Sequence, residues 1–597
     1  MCNILLKGAL VVAAFTVWSV AASAGDQDEA EAGPFAVVTS AYKLPAAIDP
    51  EVASDIATEL WATVYRPIPL GRGPHPLLVF LHGDYATCGH IVSGVGRVDD
   101  SIEYTFDGKC PPGYFPIQSQ LGYGYAATRL ASHGYIIVSI NANRGVNYAA
   151  PVLGDEGLTL RRGLLVLRHL QAWTHWNQVP HSAPTSLGFE VAGTINFREV
   201  GLMGHSRGGE GVRAAVALYK DPDSPWPARL DSHIRFRAML EIAPIDGASS
   251  ARTIDANNLT WATLLPLCDN SIPMLDGLKV YDRSIAALTE STPSVKATFA
   301  AAGTNHNFFN SIWRAERFRE PTDPAYPGGC VDQEPLFDSE DTGSSAEQAI
   351  GAAAMLAFFR GTVGEDKDPA LLDLFDPGRP LPGWLARLTR FERGYSSSAS
   401  RHTILPIEDF TNPTGQNSNG PANLSANVTL THDLVPEHEV MAGVLSWDRS
   451  NGSAAADTFF QTNWTDPGMG RTIVGFQTLT LRVSLQCGPS IFSCADTSPL
   501  NDPANPIDFS IALVDADGTL SHTVHARDFA RLMGPVGSLS GFAASIERHP
   551  TLQSLRIPLE AFELAPGEPL RGVRFTFDRS ASGAIYLANV RLDRASF

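Results

Sequence analysis

Between residues 35 and 365 the chain alternates strand-like and helix-like runs, and in LTLRRGLLVLRHLQAWTHW the apolar residues recur at helical spacing. FAVVTSAYKL, LWATVYRP, HPLLVFLHGD, YIIVSINAN, REVGLMGHS, FRAMLEIAPI, TWATLLPLCD and VKATFAAAGTNH read as strands. YGYAATRLASHG, LTLRRGLLVLRHLQAWTHW, GEGVRAAVALYK, LKVYDRSIAAL and SAEQAIGAAAMLAFFRG read as helices. Several of the strand runs are apolar at nearly every position, the pattern of a strand buried on both faces. Strands separated by helices imply a mostly parallel sheet covered on both sides, so this part is expected to be α/β.

Around DPGRPLPG (376–383) and YSSSAS (395–400) the pattern changes. From about residue 402 the runs are short, alternate with period two and are split by Gly, Asn, Pro and Asp: VMAGVLSW, TLTLRVSLQ, IDFSIALVDADG, SLRIPL, GVRFTFDR, AIYLANVRL. This predicts an all-β sandwich, with ARDFARLM the one helix-like segment. A length of 597 residues fits more than one domain. The expected division is 25–395 for the α/β part and 396–597 for the sandwich.

The first residues carry one Lys, an apolar stretch, then Ala22-Ser23-Ala24 before an acidic segment. That is the layout of a signal peptide cut near Ala24, so the mature chain is expected to be secreted or periplasmic, with no membrane span. Beyond it lie six cysteines, an even number that suits disulfides in an exported chain. Order along the chain suggests Cys88–Cys110, Cys268–Cys330 and Cys487–Cys494, one of fifteen possible pairings. No CxxC or HExxH spacing points to a metal. With 44 Lys+Arg against 63 Asp+Glu the net charge is −19, which disfavours binding to nucleic acid or an anionic membrane. Oligomeric state is not legible.

VGLMGHSRGG holds the chemistry. A strand runs into Gly204-His205-Ser206-Arg207-Gly208, and a helix follows. Glycines around a serine in a strand-turn-helix allow a sharp turn that exposes its hydroxyl. A serine hydroxyl needs a base, and the base needs an orienting acid. His306 follows the last strand and is the expected base. Asp269 follows the strand before it and is the expected acid, with Asp246 and Asp276 as alternatives. The N–H of Arg207, at a helix N-terminus, and the N–H of Asp84, after the strand HPLLVFLHGD, are the expected oxyanion donors; Tyr85 N–H is the alternative to the latter. Tyr85 and His205 are expected to touch substrate, and His82 to brace its loop.

Together these residues resemble the α/β-hydrolase family over roughly 35–365, carried by FLHGD, GHSRGG, the D-x-x-I-P of CDNSIP, and GTNHNFF. Within it the chain looks most like secreted esterases of the cutinase and polyester-hydrolase type and their chlorophyllase and dienelactone-hydrolase relatives. Arg207 stands where a Met or Gln is common in cutinases, and GVGRVDDSIEYTFDGKCPPGYFPIQSQ and NQVPHSAPTSLGF are additions to a minimal cutinase. The last third, on LQSLRIPLEAF and LRGVRFTFDRSASGAIYLANVRL, resembles the jelly-roll carbohydrate-binding modules of extracellular hydrolases, which implies a jelly-roll-like sandwich. The resemblance implies an ester substrate, polymeric ones included, glycan binding by the sandwich, and no cofactor. Trp447 and Trp464 read as core residues before sugar platforms, and Asp515-Ala516-Asp517-Gly518 as a hairpin turn before a calcium loop. The expected function is a serine hydrolase of carboxylic esters. A peptidase on the same triad and a non-catalytic binding protein are the competing readings.

Overall fold

The computed structural model describes residues 31–594 apart from 72, 93–94, 98–102, 106–107, 148, 231–233, 258, 289–293, 314–329, 332, 339–342, 399–403, 467, 489–496, 503, 540–545 and 566. The signal segment and Cys494 therefore lie outside the described residues.

Nine strands form one sheet: β1 (Ala36–Lys43), β2 (Trp61–Ile68), β3 (His75–Leu81), β4 (Ile136–Asn141), β5 (Ile195–His205), β6 (Phe236–Ile242), β7 (Thr260–Cys268), β8 (Ser294–Asn305) and β9 (Phe391–Ser398). Their order is β1-β2-β4-β3-β5-β6-β7-β8-β9. The six strands from β4 to β8 are mutually parallel, while β1, β2 and β9 run antiparallel to their neighbours. The protein is thus α/β in this part, as its alternation implies.

Both faces of the sheet are apolar because successive side chains point opposite ways. On β3, Leu77, Val79 and Leu81 enter one core and Leu78 and Phe80 the other. Helices α2 (Thr159–Gln178) and α3 (Arg207–Lys220), with Val280 and Tyr281 of α4 (Gly277–Ala286), cover the first face. Helices α1 (Gly124–Ser132) and α5 (Ser345–Thr362) cover the second. The serine-rich segment after residue 395, read as a change of pattern, is in part sheet: β9 runs to Ser398 and pairs with β8 along the edge.

Two antiparallel sheets follow. One takes the order Thr429–Val435, Val440–Asp448, Ser582–Asp593, Thr478–Leu485, Gln553–Pro558; the other Leu424–Ala426, Phe459–Asn463, Pro569–Thr576, Ser510–Asp515, Val524–His525. Their inner faces share a core that includes Trp447 and Trp464, so both tryptophans are packed inside. Trp447 stacks on Phe577 at 4.2 Å. Asp515–Gly518 is a turn: Gly518 N–H donates to Asp515 O at 3.2 Å, and Thr519 N–H to Asp515 Oδ1 at 2.7 Å. ARDFARLM is not an α-helix but a single 3-10 turn at Ala526–Asp528. So short a helix has little stability of its own, and here Ala526, Phe529 and Leu532 reach the core by looping over it.

The two parts meet through buried polar contacts. Asp282 on α4 bonds His438 Nδ1 at 2.6 Å and pairs with Arg482, both in the sandwich. Burial opposes ionisation of Asp282, yet Arg482 and His438 outweigh it and hold its carboxyl below the usual value. Thr551 Oγ1 donates to Glu392 of β9 at 2.6 Å. Disulfides join Cys88 to Cys110 and Cys268 to Cys330. Cys487 is also disulfide-bonded. No helix among the described residues is long and apolar enough to cross a membrane.

Candidate active site

Strand register sets the site. Gly204 of β5 pairs with Leu81 of β3, so His205-Ser206 and His82-Gly83 leave the sheet side by side. Cys268 of β7 pairs with Asn305 of β8, so Asp269 and His306 also leave side by side. All four emerge at the carboxyl ends of parallel strands, where open α/β sheets keep their functional loops.

Ser206 sits between β5 and α3 with φ 58° and ψ −127°. For a non-glycine residue this costs of order 1–3 kcal/mol and persists only where the surroundings enforce it. Here they do. Its N–H donates to Ile242 O of β6 at 2.8 Å, and its carbonyl accepts from Gly209 N–H at 2.8 Å. A Cβ on Gly204 would lie 2.2 Å from Gly208 O, and one on Gly208 would lie 2.5 Å from Leu81 O. Only glycines let α3 start this close to β3 and β5. The N–H of Arg207 belongs to the first turn of α3, where backbone donors have no intrahelical acceptor.

Asp269 and His306 are joined: His306 Nδ1 lies 2.9 Å from Asp269 Oδ2. The other carboxylate oxygen accepts from Ser271 N–H at 2.9 Å and Ile272 N–H at 2.6 Å. Asp246 is held instead by Arg213 at 2.9 Å and Arg283 at 2.8 Å. Asp276 pairs with Lys279 at 2.8 Å. Of the three acids considered, Asp269 alone is bonded to His306.

The loop of His306 is fixed from three sides. Asn305 N–H donates to Glu347 Oε1 of α5 at 2.8 Å. Asn305 Oδ1 accepts from Asn307 N–H at 2.9 Å and Phe308 N–H at 3.1 Å. His205 supplies the third contact, and this corrects its expected role at the substrate. It is fully buried; its Nε2 lies 2.8 Å from His306 O, and its Nδ1 3.0 Å from Tyr123 Oη. A carbonyl only accepts, so Nε2 carries the proton and Nδ1 accepts from the tyrosine. Burial, then the neighbouring His306, hold its pKa well below the ordinary value, so the ring is neutral. His205 braces His306.

His82 does brace its own loop. Its Nε2 accepts from Ala142 N–H at 2.8 Å, so Nδ1 carries the proton and donates to Gly83 O at 2.8 Å. Burial, aided by Arg162, pulls its pKa down to about 3. Gly83 faces the serine: a Cβ there would lie 2.6 Å from Ser206 Cβ. The Asp84 carboxylate pairs with Arg207 at 3.1 Å and Arg162 at 3.6 Å. Tyr85 is half-buried and stacks on Trp313 at 5.0 Å, and Trp313 also packs on His205. Among the described residues no group of three or more His, Cys, Asp or Glu side chains is placed to hold a metal ion.

Tyr123, Arg162, Glu347 and Trp313 were missed by sequence reasoning. One signal was available. Arg162 lies on the apolar stripe of α2 with Leu165, Val166 and His169, where a charged residue needs a buried partner. Comparison with protein-family models and with curated proteins returns no match to this chain.

Proposed function

We propose that the chain is an exported serine esterase of α/β-hydrolase kind, with Ser206 as nucleophile, His306 as base and Asp269 as the acid that orients it. The observation that carries this reading is Ser206 itself: a non-glycine residue at φ 58°, enforced by two glycines that could not bear a side chain. Further support comes from the strand order and from the chain order Ser, Asp, His. In the reaction Ser206 Oγ attacks the acyl carbonyl carbon and its proton passes to His306 Nε2. The carboxylate of Asp269 keeps Nδ1 protonated and steadies the imidazolium. The N–H groups of Arg207 and Asp84 receive the oxyanion. Collapse expels the alcohol, which takes the proton from His306, and water then hydrolyses the acyl-enzyme by the same steps.

Two disulfides fit an oxidising compartment and support export. The cutinase-like and carbohydrate-binding-module-like assignments rest on resemblance; Trp447 and Trp464, being core residues, lend glycan binding no support. The test is hydrolysis of p-nitrophenyl esters from acetate to decanoate by wild type and Ser206→Ala. Turnover by wild type only is expected, and its chain-length optimum reports the acyl pocket. A folded wild type inert on the whole series refutes the esterase reading.

A further inference from the structure

The acid at position 84 poses a question. A carboxylate beside a developing alkoxide opposes the charge that an oxyanion site must stabilise. The surroundings of residues 83–85 answer it.

Three donors converge on the Gly83 carbonyl: His82 Nδ1 at 2.8 Å, Asn147 Nδ2 at 3.3 Å and Arg162 Nη1 at 3.4 Å. Asn147 Nδ2 also reaches Tyr85 O at 3.2 Å, and Asn147 Oδ1 accepts from Arg162 Nη2 at 2.5 Å. In a trans peptide the C=O and the following N–H point opposite ways. Holding the Gly83 carbonyl towards α2 therefore turns the Asp84 N–H away from it. Arg162 reaches this place through a notch in α3: a Cβ on Gly211 would lie 2.7 Å from Arg162 Cβ and 3.4 Å from its Cδ. Its side chain has no exposure to solvent. Burial pulls its pKa down to about 10, which leaves it charged at neutral pH.

We propose that Arg162 and Asn147 are positioning residues of the oxyanion loop, holding the Gly83 carbonyl so that the Asp84 N–H serves the transition state, while Arg162 and Arg207 pair with the Asp84 carboxylate. The inference rests on the serine-esterase reading above. It makes a buried arginine on the far side of the loop act through a backbone donor.

The test compares wild type, Asn147→Ala, Arg162→Gln and Arg162→Lys in p-nitrophenyl butyrate hydrolysis and in inhibition by phenylboronic acid. Ser206 Oγ adds to the trigonal boron, its proton passing to His306, and the resulting tetrahedral boronate places an oxygen in the oxyanion site. Displacing one donor by a fraction of an ångström lowers kcat by roughly 10- to 100-fold. Asn147→Ala is expected near the lower value, Arg162→Gln near the upper, and Arg162→Lys between them. KM should stay within about 2-fold, boronate affinity should fall in parallel with kcat/KM, and the pH profile should not move. Asn147 is half-buried, so its variant carries the test if Arg162→Gln does not fold. Variants within about 2-fold of an active wild type, or rate losses without loss of boronate affinity, overturn the proposal. A wild type inert to esters and boronate instead removes the esterase reading, and this inference with it.

Discussion

Replacing Gly208 by alanine sets two physical effects against each other. Gly208 lies in the first turn of α3 and is not among the residues with positive φ, so an alanine suits its backbone. Helix propensity alone favours the substitution by about 1 kcal/mol. Packing opposes it. The new Cβ would lie 2.5 Å from Leu81 O and 2.7 Å from His82 O, where real Cβ atoms stay beyond 3.0 Å. Both obstacles are backbone of β3 and its loop and cannot rotate aside. Relief therefore requires α3 to withdraw from β3 by at least about 0.5 Å, the difference between 3.0 and 2.5 Å. Overpacking of this kind costs about 1–3 kcal/mol, so the net effect is destabilising or near zero. The same withdrawal carries Ser206 away from the Asp84 loop. A misplacement of 1 Å costs about 100-fold in rate, so half of that implies roughly a 10-fold loss. Urea denaturation and p-nitrophenyl butyrate hydrolysis measure the two effects separately. A variant more stable by about 1 kcal/mol and fully active would refute the close approach of α3 to β3 as the basis of the site.

Asp269→Asn should lower kcat by roughly 10³- to 10⁴-fold with the fold intact, since the amide oxygen stays on Ser271 and Ile272 and the NH₂ then faces His306 Nδ1, forcing the wrong tautomer; retention of a tenth of the wild-type kcat, measured on the same ester, counts against the triad. Asp282→Asn leaves Arg482 buried without its counter-charge and takes the carboxylate acceptor from the neutral His438, and should cost about 3–5 kcal/mol in urea denaturation; an effect below about 1 kcal/mol would mean that the contact between the two parts is held by other groups. His169, whose Nδ1 meets Tyr42 Oη at 2.7 Å, has its pKa lowered to about 3 by burial and then by Arg168. The unfolded chain takes up this proton near pH 6.5 and the folded one does not, so the contribution is fully present above 6.5 and is lost as pH falls towards 3. Between pH 7 and 5 wild type should lose about 2 kcal/mol more than His169→Gln, and equal losses in urea titrations at the two pH values would show that His169 is not buried neutral.

The elements of the α/β part were legible because each carries its own period. Its core strands are apolar on both faces, α1 to α4 carry an apolar face at helical spacing, and α5 is apolar nearly all round and buried from Ile350 to Phe359. β9 was not legible: Phe391–Ser398 is an edge strand that buries the polar Glu392 and Ser396, and its serines carry no apolar alternation. ARDFARLM misled because a helical period in eight residues is weaker than the pull of a core already formed. Within the site, Ser206, Asp269 and His306 could be found because each falls at the end of a strand run. His205 could not be placed, since a residue beside the turn serine points either to the mouth or to the core, and only packing against Tyr123 and Trp313 decides which.

What the chain determines by itself is local: where most strands and helices of the α/β part lie, that a serine stands on a glycine-flanked turn, and that an acid and a histidine follow later strands. Which acid meets His306, and how a loop carrying Asp84 is held, depend on strand order and register. Those bring together residues such as Asp269 and His306, or Gly83 and Arg162, that are remote along the chain. Pairing across a sheet is set by the joint burial of every strand and helix at once, and no single segment carries that information.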